Sequence, residues 1–304
     1  MRKTFSIHIE KILSEDEKVV FITGDLGFNA LENLQNKFPK QFINAGVAEQ
    51  NMISMAAGMA YKGYKVFCYS IAPFIVYRCL EQFRNDVCFH NLPVFIVGNG
   101  GGYGYGIMGS SHHAIEDIAC LSGLPNNTCW VPAFTGDVRS ILNAIIKNSR
   151  PAYLRLGLGN ENPFDNKYYG SFNVLLFNQK AEVTIVAMGP VVDNAIKAIQ
   201  QNNIQNRVNL LTCNSLPLEF TTEVESLFSS TGKLVVVEEH VSVGGLAQQL
   251  SVEILKKGIQ LKVFKSLCAK GYLSKRYGDQ GFHQKESGLD IENISTVLKE
   301  IIND

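Results

Sequence analysis

The sequence predicts an α/β protein of two domains, each a mostly parallel sheet flanked by helices. Three observations carry this. The 304 residues suit about two domains of ordinary size. Short apolar runs alternate with helical patterns, as βαβ units require. A stretch rich in Gly, Asn and Pro, Gly157 to Phe164, interrupts that alternation midway.

The elements follow in order. Phe5 to Leu13 reads as an amphipathic helix, and Val19 to Gly24 as a buried strand ending in a Gly-Asp loop. Lys65 to Tyr69 and Val94 to Val97 are further buried strands, with helices over 49–62 and about 74–90. Ala152 to Leu156 closes the first set. A second alternation starts with strand Val183 to Ala187 and a helix over 191–201. Strands Val208 to Thr212 and Leu234 to Val237 and a helix after Gly245 complete it. Residues 1–160 are assigned to the first domain, 161–180 to a linker and 181–304 to the second domain.

Bulk properties narrow the function. A hydrophobic content of 46% with 18% charged residues describes a well-buried globular chain. Basic and acidic residues number 28 each, so no charge excess recommends nucleic acid or a membrane surface. Seven scattered cysteines without Cys-x-x-Cys suggest reduced thiols and a cytoplasmic location, and argue against zinc. No apolar run approaches the ~20 residues of a membrane span.

The most informative stretch is Gly46-Val47-Ala48-Glu49-Gln50-Asn51-Met52, which opens onto Ile53-Ser54-Met55-Ala56-Ala57-Gly58-Met59-Ala60. One carboxylate stands at the mouth of a helix made otherwise of small and apolar residues. A helix mouth offers unsatisfied N–H groups that favour an anion, so Glu49 alone reads as a helix-capping carboxylate. Its surroundings change that reading. With Ser70-Ile71-Ala72-Pro73-Phe74, Glu81-Gln82-Phe83-Arg84, Gly109-Ser110-Ser111-His112, Glu116-Asp117-Ile118-Ala119, Leu124-Pro125-Asn126 and Pro151-Ala152-Tyr153-Leu154-Arg155, the chain resembles the pyrimidine-binding domain of transketolases and deoxyxylulose-phosphate synthases. Val237-Glu238-Glu239-His240 with Gly244-Gly245-Leu246 resembles the same family's C-terminal domain, so nearly the whole chain is covered.

The resemblance implies thiamine diphosphate, a cofactor that stabilises a carbanion and needs the protein to activate and orient it. It implies that Glu49 hydrogen-bonds the aminopyrimidine ring, that Phe74 stacks on it, and that Tyr77 and Ile71 complete the cradle. Ile71 stands where many relatives carry a second aromatic. His112 takes the place of an active-site histidine near the substrate; read alone it is a surface or capping histidine. His113 stands where relatives usually have glutamine, and its role is open.

Substrate contacts depart from the family pattern. Arg2 matches one of two phosphate-binding arginines, while Asn29 stands at a serine position and Met108 at an aspartate that reads sugar hydroxyls. The second arginine gives way to Gly157 or Leu158. The run Gly98 to Gly106 lacks the lysine and spacing of a P-loop and is expected to form a flexible, open substrate entrance. These departures imply an acceptor without a terminal phosphate, an unphosphorylated or nucleotide-linked sugar. Asp25 and the run Glu238-Glu239-His240 are further candidates; the run looks like a metal cluster, yet nothing else supplies convergent ligands, and no metal residue is assigned.

The Gly-Asp-Gly…Asn motif that binds Mg2+ and diphosphate in the family is not found here. The expectation is a split transketolase: this chain as the C-terminal subunit, an N-terminal diphosphate-binding subunit as partner, and two of each in a heterotetramer. Self-association would run through both domains of this chain. Two rival readings are the β subunit of a 2-oxoacid dehydrogenase and a transketolase-like scaffold without turnover.

Overall fold

In the computed structural model, residues 1–26, 31–165 and 167–303 are described. Asn29 lies outside them. Among the described residues, thirteen strands build two sheets. Those of the first half are β1 (Val19–Thr23), β2 (Phe42–Asn44), β3 (Lys65–Ile71), β4 (Val94–Asn99), β5 (Thr128–Trp130) and β6 (Ala152–Leu156). The rest are β7 (Lys167–Tyr169), β8 (Phe172–Leu176), β9 (Val183–Met188), β10 (Val208–Cys213), β11 (Ser215–Leu216), β12 (Lys233–Glu238) and β13 (Val263–Cys268). The first sheet runs β11-β5-β6-β4-β3-β1-β2 and the second β13-β12-β9-β10-β8-β7. Pairing is parallel except at β11–β5, β8–β10 and β7–β8. The α/β class with two mostly parallel sheets is therefore observed.

Two details differ from the sequence reading. The stretch 161–180 carries β7 and β8, which extend the second sheet, β8 antiparallel to β10 and β7 antiparallel to β8. Also, β11 returns from the second half to pair with β5, so the two halves are stitched through a shared sheet edge.

Period-two patterning explains the layers. Val20 and Ile22 of β1, Val66 and Cys68 of β3, and Val94 and Ile96 of β4 face one core, with Met52, Ile53, Ala56 and Ala60 of helix Glu49–Tyr61. Val19, Phe21, Phe67, Tyr69, Phe95 and Val97 face the other. There they meet Phe5, Ile9 and Leu13, spaced four apart on helix Arg2–Glu15, and Val138, Ile141 and Leu142 of helix Asp137–Asn148. Strands buried on both faces read as continuous apolar runs, which is why these were legible.

The carboxyl ends of β1, β3, β4 and β6 converge on one rim, where α/β folds place their ligands. The run Gly98 to Gly106 closes over this rim and is not an open entrance. Gly100 and Gly101 N–H groups donate to the Leu156 carbonyl at 2.9 and 3.0 Å. Gly102 bridges Ala114, and Tyr103 is fully buried. The glycines serve close approach: a side chain at 100, 101 or 102 would overlap Tyr105, Arg155 or Glu239. At Gly98 a Cβ would lie 2.8 Å from the Tyr153 hydroxyl and 3.0 Å from Ala72 Cα. Gly98→Ala is expected to cost about 1–3 kcal/mol in urea unfolding. A cost within the ~0.5 kcal/mol of ordinary surface changes would show that the packing yields.

Candidate active site

Glu49 begins its helix at the rim, 3% exposed. Its Oε1 accepts from Ser70 Oγ at 3.2 Å, and its Oε2 from Arg78 Nη1 at 3.0 Å. Ser70 is fully buried near the end of β3, and the Pro-initiated helix Ala72–Tyr77 follows directly. Phe74, half-buried, comes from that helix, and the Arg78 guanidinium carbon lies over its ring, 3.8 Å from the centroid. Arg78 thus touches both the acid and the aromatic. Residues Val47 to Asn51 and Arg78 line a cavity of about 520 Å3 outside the carboxylate.

His112 joins this group through Phe74: the rings meet edge-on at 5.1 Å. Tyr105 flanks His112 at 5.7 Å and is itself held by Asn99 Nδ2, which donates to its hydroxyl at 2.9 Å. Ser111 Oγ lies 2.9 Å from His112 Nδ1. Glu49, Phe74 and His112 are therefore brought together.

None of the contacts above joins the other expected residues to this group. Tyr77 turns to Glu116: its hydroxyl donates to Oε2 at 3.0 Å and accepts from the backbone N–H at 3.3 Å. Burial, reinforced by Asp117 and Glu116, pushes this phenol well above its ordinary pKa, so it stays protonated. Ile71 ends β3, half-buried. Met108 is 54% exposed on the short turn Gly106–Met108. Arg2 opens the first helix, half-buried, where its charge acts on the Tyr69 phenol. Asp25, in a left-handed conformation, accepts from Asn44 Nδ2 at 2.9 Å.

His113 is buried. Its Nε2 lies 2.8 Å from the Gly106 carbonyl, which can only accept, so Nδ1 receives the Tyr272 hydroxyl at 2.9 Å. Burial lowers its pKa and keeps it neutral. Its task is to fasten the 98–114 loop to the second half of the chain.

The run Glu238-Glu239-His240 splays apart. Glu238 caps helix Leu246–Lys256 by accepting from the Leu246 and Ala247 N–H groups at 2.7 and 2.9 Å. Burial nevertheless pushes it up to about 7. Glu239 accepts from Tyr103 N–H at 2.5 Å and from Gln280 and Gln284. His240 Nε2 accepts from Ala119 N–H at 3.2 Å. Among the described residues no three His, Cys, Asp or Glu side chains converge as a metal site.

Beneath His112 runs a buried network. Arg155 Nε lies 3.1 Å from Asp117 Oδ2, and Nη2 donates to the Ala114 and Glu239 carbonyls at 2.7 and 2.8 Å. Tyr153 donates to Asp117 Oδ2 at 2.6 Å. One guanidinium therefore ties the histidine-bearing loop to both halves of the chain.

Sequence reasoning passed over Ser70, Arg78, Tyr105 and Asn99. For Arg78 a signal existed, since it lies four residues after Phe74, the spacing that shares a helix face.

The family described as "Transketolase, pyrimidine binding domain" matches residues 1–161, and "Transketolase, C-terminal domain" matches residues 173–273. The chain belongs to the transketolase family. It is 32% identical over 254 residues to a subunit of the apulose-4-phosphate transketolase of Phocaeicola vulgatus, covering 81% of this chain and 80% of that one. It is 28% identical to 1-deoxy-D-xylulose-5-phosphate synthase of Clostridium perfringens, covering 98% of this chain but 49% of that enzyme. Among solved structures, "Split gene transketolase, inactive beta4 tetramer" superposes with a TM-score of 0.83 at 26% identity, over 99% of this chain and 97% of that one. No helix among the described residues is long and apolar enough to cross a membrane.

Proposed function

We propose that this chain is the C-terminal subunit of a split, thiamine diphosphate-dependent transketolase. The observation that carries the reading is the buried Glu49 carboxylate, joined to the Phe74 ring through Arg78, with a cavity lined by Glu49 and Arg78 outside it. The residues present fit the aminopyrimidine end of the cofactor: Arg78, a planar N–H donor, already spans the same acid and ring. No three His, Cys, Asp or Glu side chains converge for Mg2+ among the described residues, and Mg2+ and the diphosphate are assigned to an N-terminal subunit. Two copies of each subunit form the heterotetramer, and self-association of this chain has a precedent in the β4 tetramer named above.

When bound, thiamine diphosphate supplies the carbanion that carries a two-carbon ketol unit. Glu49 holds a proton against the pyrimidine ring nitrogen, and Ser70 fixes the carboxyl's rotation. Phe74 provides the stacking face, with Ile71 and Tyr77 as the cradle's edge. His112, with Nδ1 engaged by Ser111, keeps Nε2 for a substrate oxygen. Arg2, Asn29 and Met108 are the residues assigned to the acceptor.

Met108 puts a thioether where a hydroxyl-reading carboxylate is expected, and this favours an unphosphorylated or nucleotide-linked carbonyl sugar. Each lost charge-assisted contact costs about 1.5–3 kcal/mol. Ribose 5-phosphate and erythrose 4-phosphate are therefore expected to turn over poorly with the reconstituted pair, against efficient transfer to the unphosphorylated or nucleotide-linked panel. A second reading, a phosphorylated sugar bound by a rebuilt site, is favoured by the name of the P. vulgatus relative. Ordinary affinity for the simple sugar phosphates would establish it. Ketol transfer in this panel, without acyl transfer to lipoamide, separates both from the 2-oxoacid dehydrogenase reading, and any turnover excludes the scaffold.

A further inference from the structure

Arg78 makes two contacts that the site is otherwise built to make with a cofactor ring. Its guanidinium is planar and carries N–H donors at its edge. Its carbon sits 3.8 Å from the centroid of Phe74, the separation of a stacked ring, and Nη1 donates to Glu49 Oε2 at 3.0 Å. A planar group over the aromatic with an N–H on the acid is the same pairing assigned above to the aminopyrimidine. The side chain is 45% exposed, against 3% for Glu49, so it reaches the pair from the solvent side and has a path outward.

We propose that Arg78 is a stand-in for the pyrimidine in the unloaded subunit, occupying Phe74 and Glu49 until the cofactor displaces it. The inference rests on the proposed function. It makes Arg78 a positioning residue: without it or a ligand, Glu49 would be a buried carboxylate bonded, among the described residues, by Ser70 alone, and the guanidinium compensates that charge. Loading exchanges the guanidinium donor for a ring nitrogen with which Glu49 shares a proton, so the acid keeps a partner throughout.

Displacement has a thermodynamic and a kinetic signature. A partly exposed ion pair and a cation–π contact are each modest, and together they correspond to roughly tenfold in binding. Calorimetric titration of thiamine diphosphate with Mg2+ into the reconstituted pair should therefore show about tenfold tighter binding for Arg78→Met than for wild type. Arg78→Lys, which keeps the charge but loses the planar fork, should fall between them. In stopped flow the observed loading rate of wild type should level off with cofactor concentration, because the guanidinium must leave first; that of Arg78→Met should keep rising linearly. A purely structural role would not produce the plateau or its loss. Equal or weaker binding by Arg78→Met, or a wild-type rate without a plateau, overturns the proposal, since Arg78 would then be a cofactor contact or a bystander. Should Arg78→Met fail to fold, Arg78→Lys together with the wild-type plateau decides. A wild-type pair that binds no thiamine diphosphate would instead remove the proposed function itself.

Discussion

Glu49→Gln is expected to leave the fold intact and to lower ketol transfer by the ~10²–10⁴-fold that general acid–base catalysis contributes. The amide has the size of the acid and can present its oxygen to Arg78 and its nitrogen to Ser70, so the local hydrogen bonds can re-form. The lost ion pair involves a half-exposed arginine and is worth no more than about 1 kcal/mol. What the amide lacks is a proton it can share with a ring nitrogen. Single-turnover ketol formation with the reconstituted pair, beside urea unfolding of the isolated chain, separates the two effects. Turnover close to wild type would remove Glu49 from its assigned role.

Arg155→Met is expected to be the most destabilising change outside the apolar core. Arg155 is 5% exposed and Asp117 is not exposed at all, so the variant leaves a buried carboxylate with only the Tyr153 hydroxyl on Oδ2. Asp117 Oδ1 has no hydrogen-bond partner to offset this. The Glu239 carbonyl also loses the Arg155 donor, and the Ala114 carbonyl keeps only the Gly102 N–H. Breaking such a pair from one side costs about 3–5 kcal/mol. Urea unfolding reads the loss, and adding Asp117→Asn should recover part of it by removing the stranded charge. A single-variant cost below about 1 kcal/mol would mean that water reaches Asp117. Because this network carries the loop bearing His112, turnover should fall as well.

Much of the fold was legible because buried parallel strands write themselves as apolar runs: Val19 to Thr23, Val94 to Val97 and Val183 to Ala187 all fall within observed strands. The strands β7 and β8 were not, since they are short and lie beside a Gly-, Asn- and Pro-rich segment; β8 pairs with β10 and β7 with β8. Helix Ile291–Asn303 carried a readable pattern in Ile294, Val297, Leu298 and Ile301, all buried. The glycine run misled for a physical reason. Glycine signals either freedom or close approach, and only the positions of Tyr105, Arg155 and Glu239 show that here it is close approach. At the site, ordered motifs brought out Glu49, Phe74 and His112. Ser70 and Arg78 bond Glu49 from 21 and 29 residues away in sequence, a proximity that spacing along the chain does not encode.

The proposed assignment gives this chain only the pyrimidine half of a cofactor site. Calorimetric titration of thiamine diphosphate with Mg2+ into the isolated chain, and into the chain mixed with its N-terminal transketolase partner, tests it most directly. Binding in the mixture alone, with magnesium required, is the expected result. Tight, magnesium-dependent binding to the isolated chain would contradict the assignment, because it would place the diphosphate ligands on the chain itself.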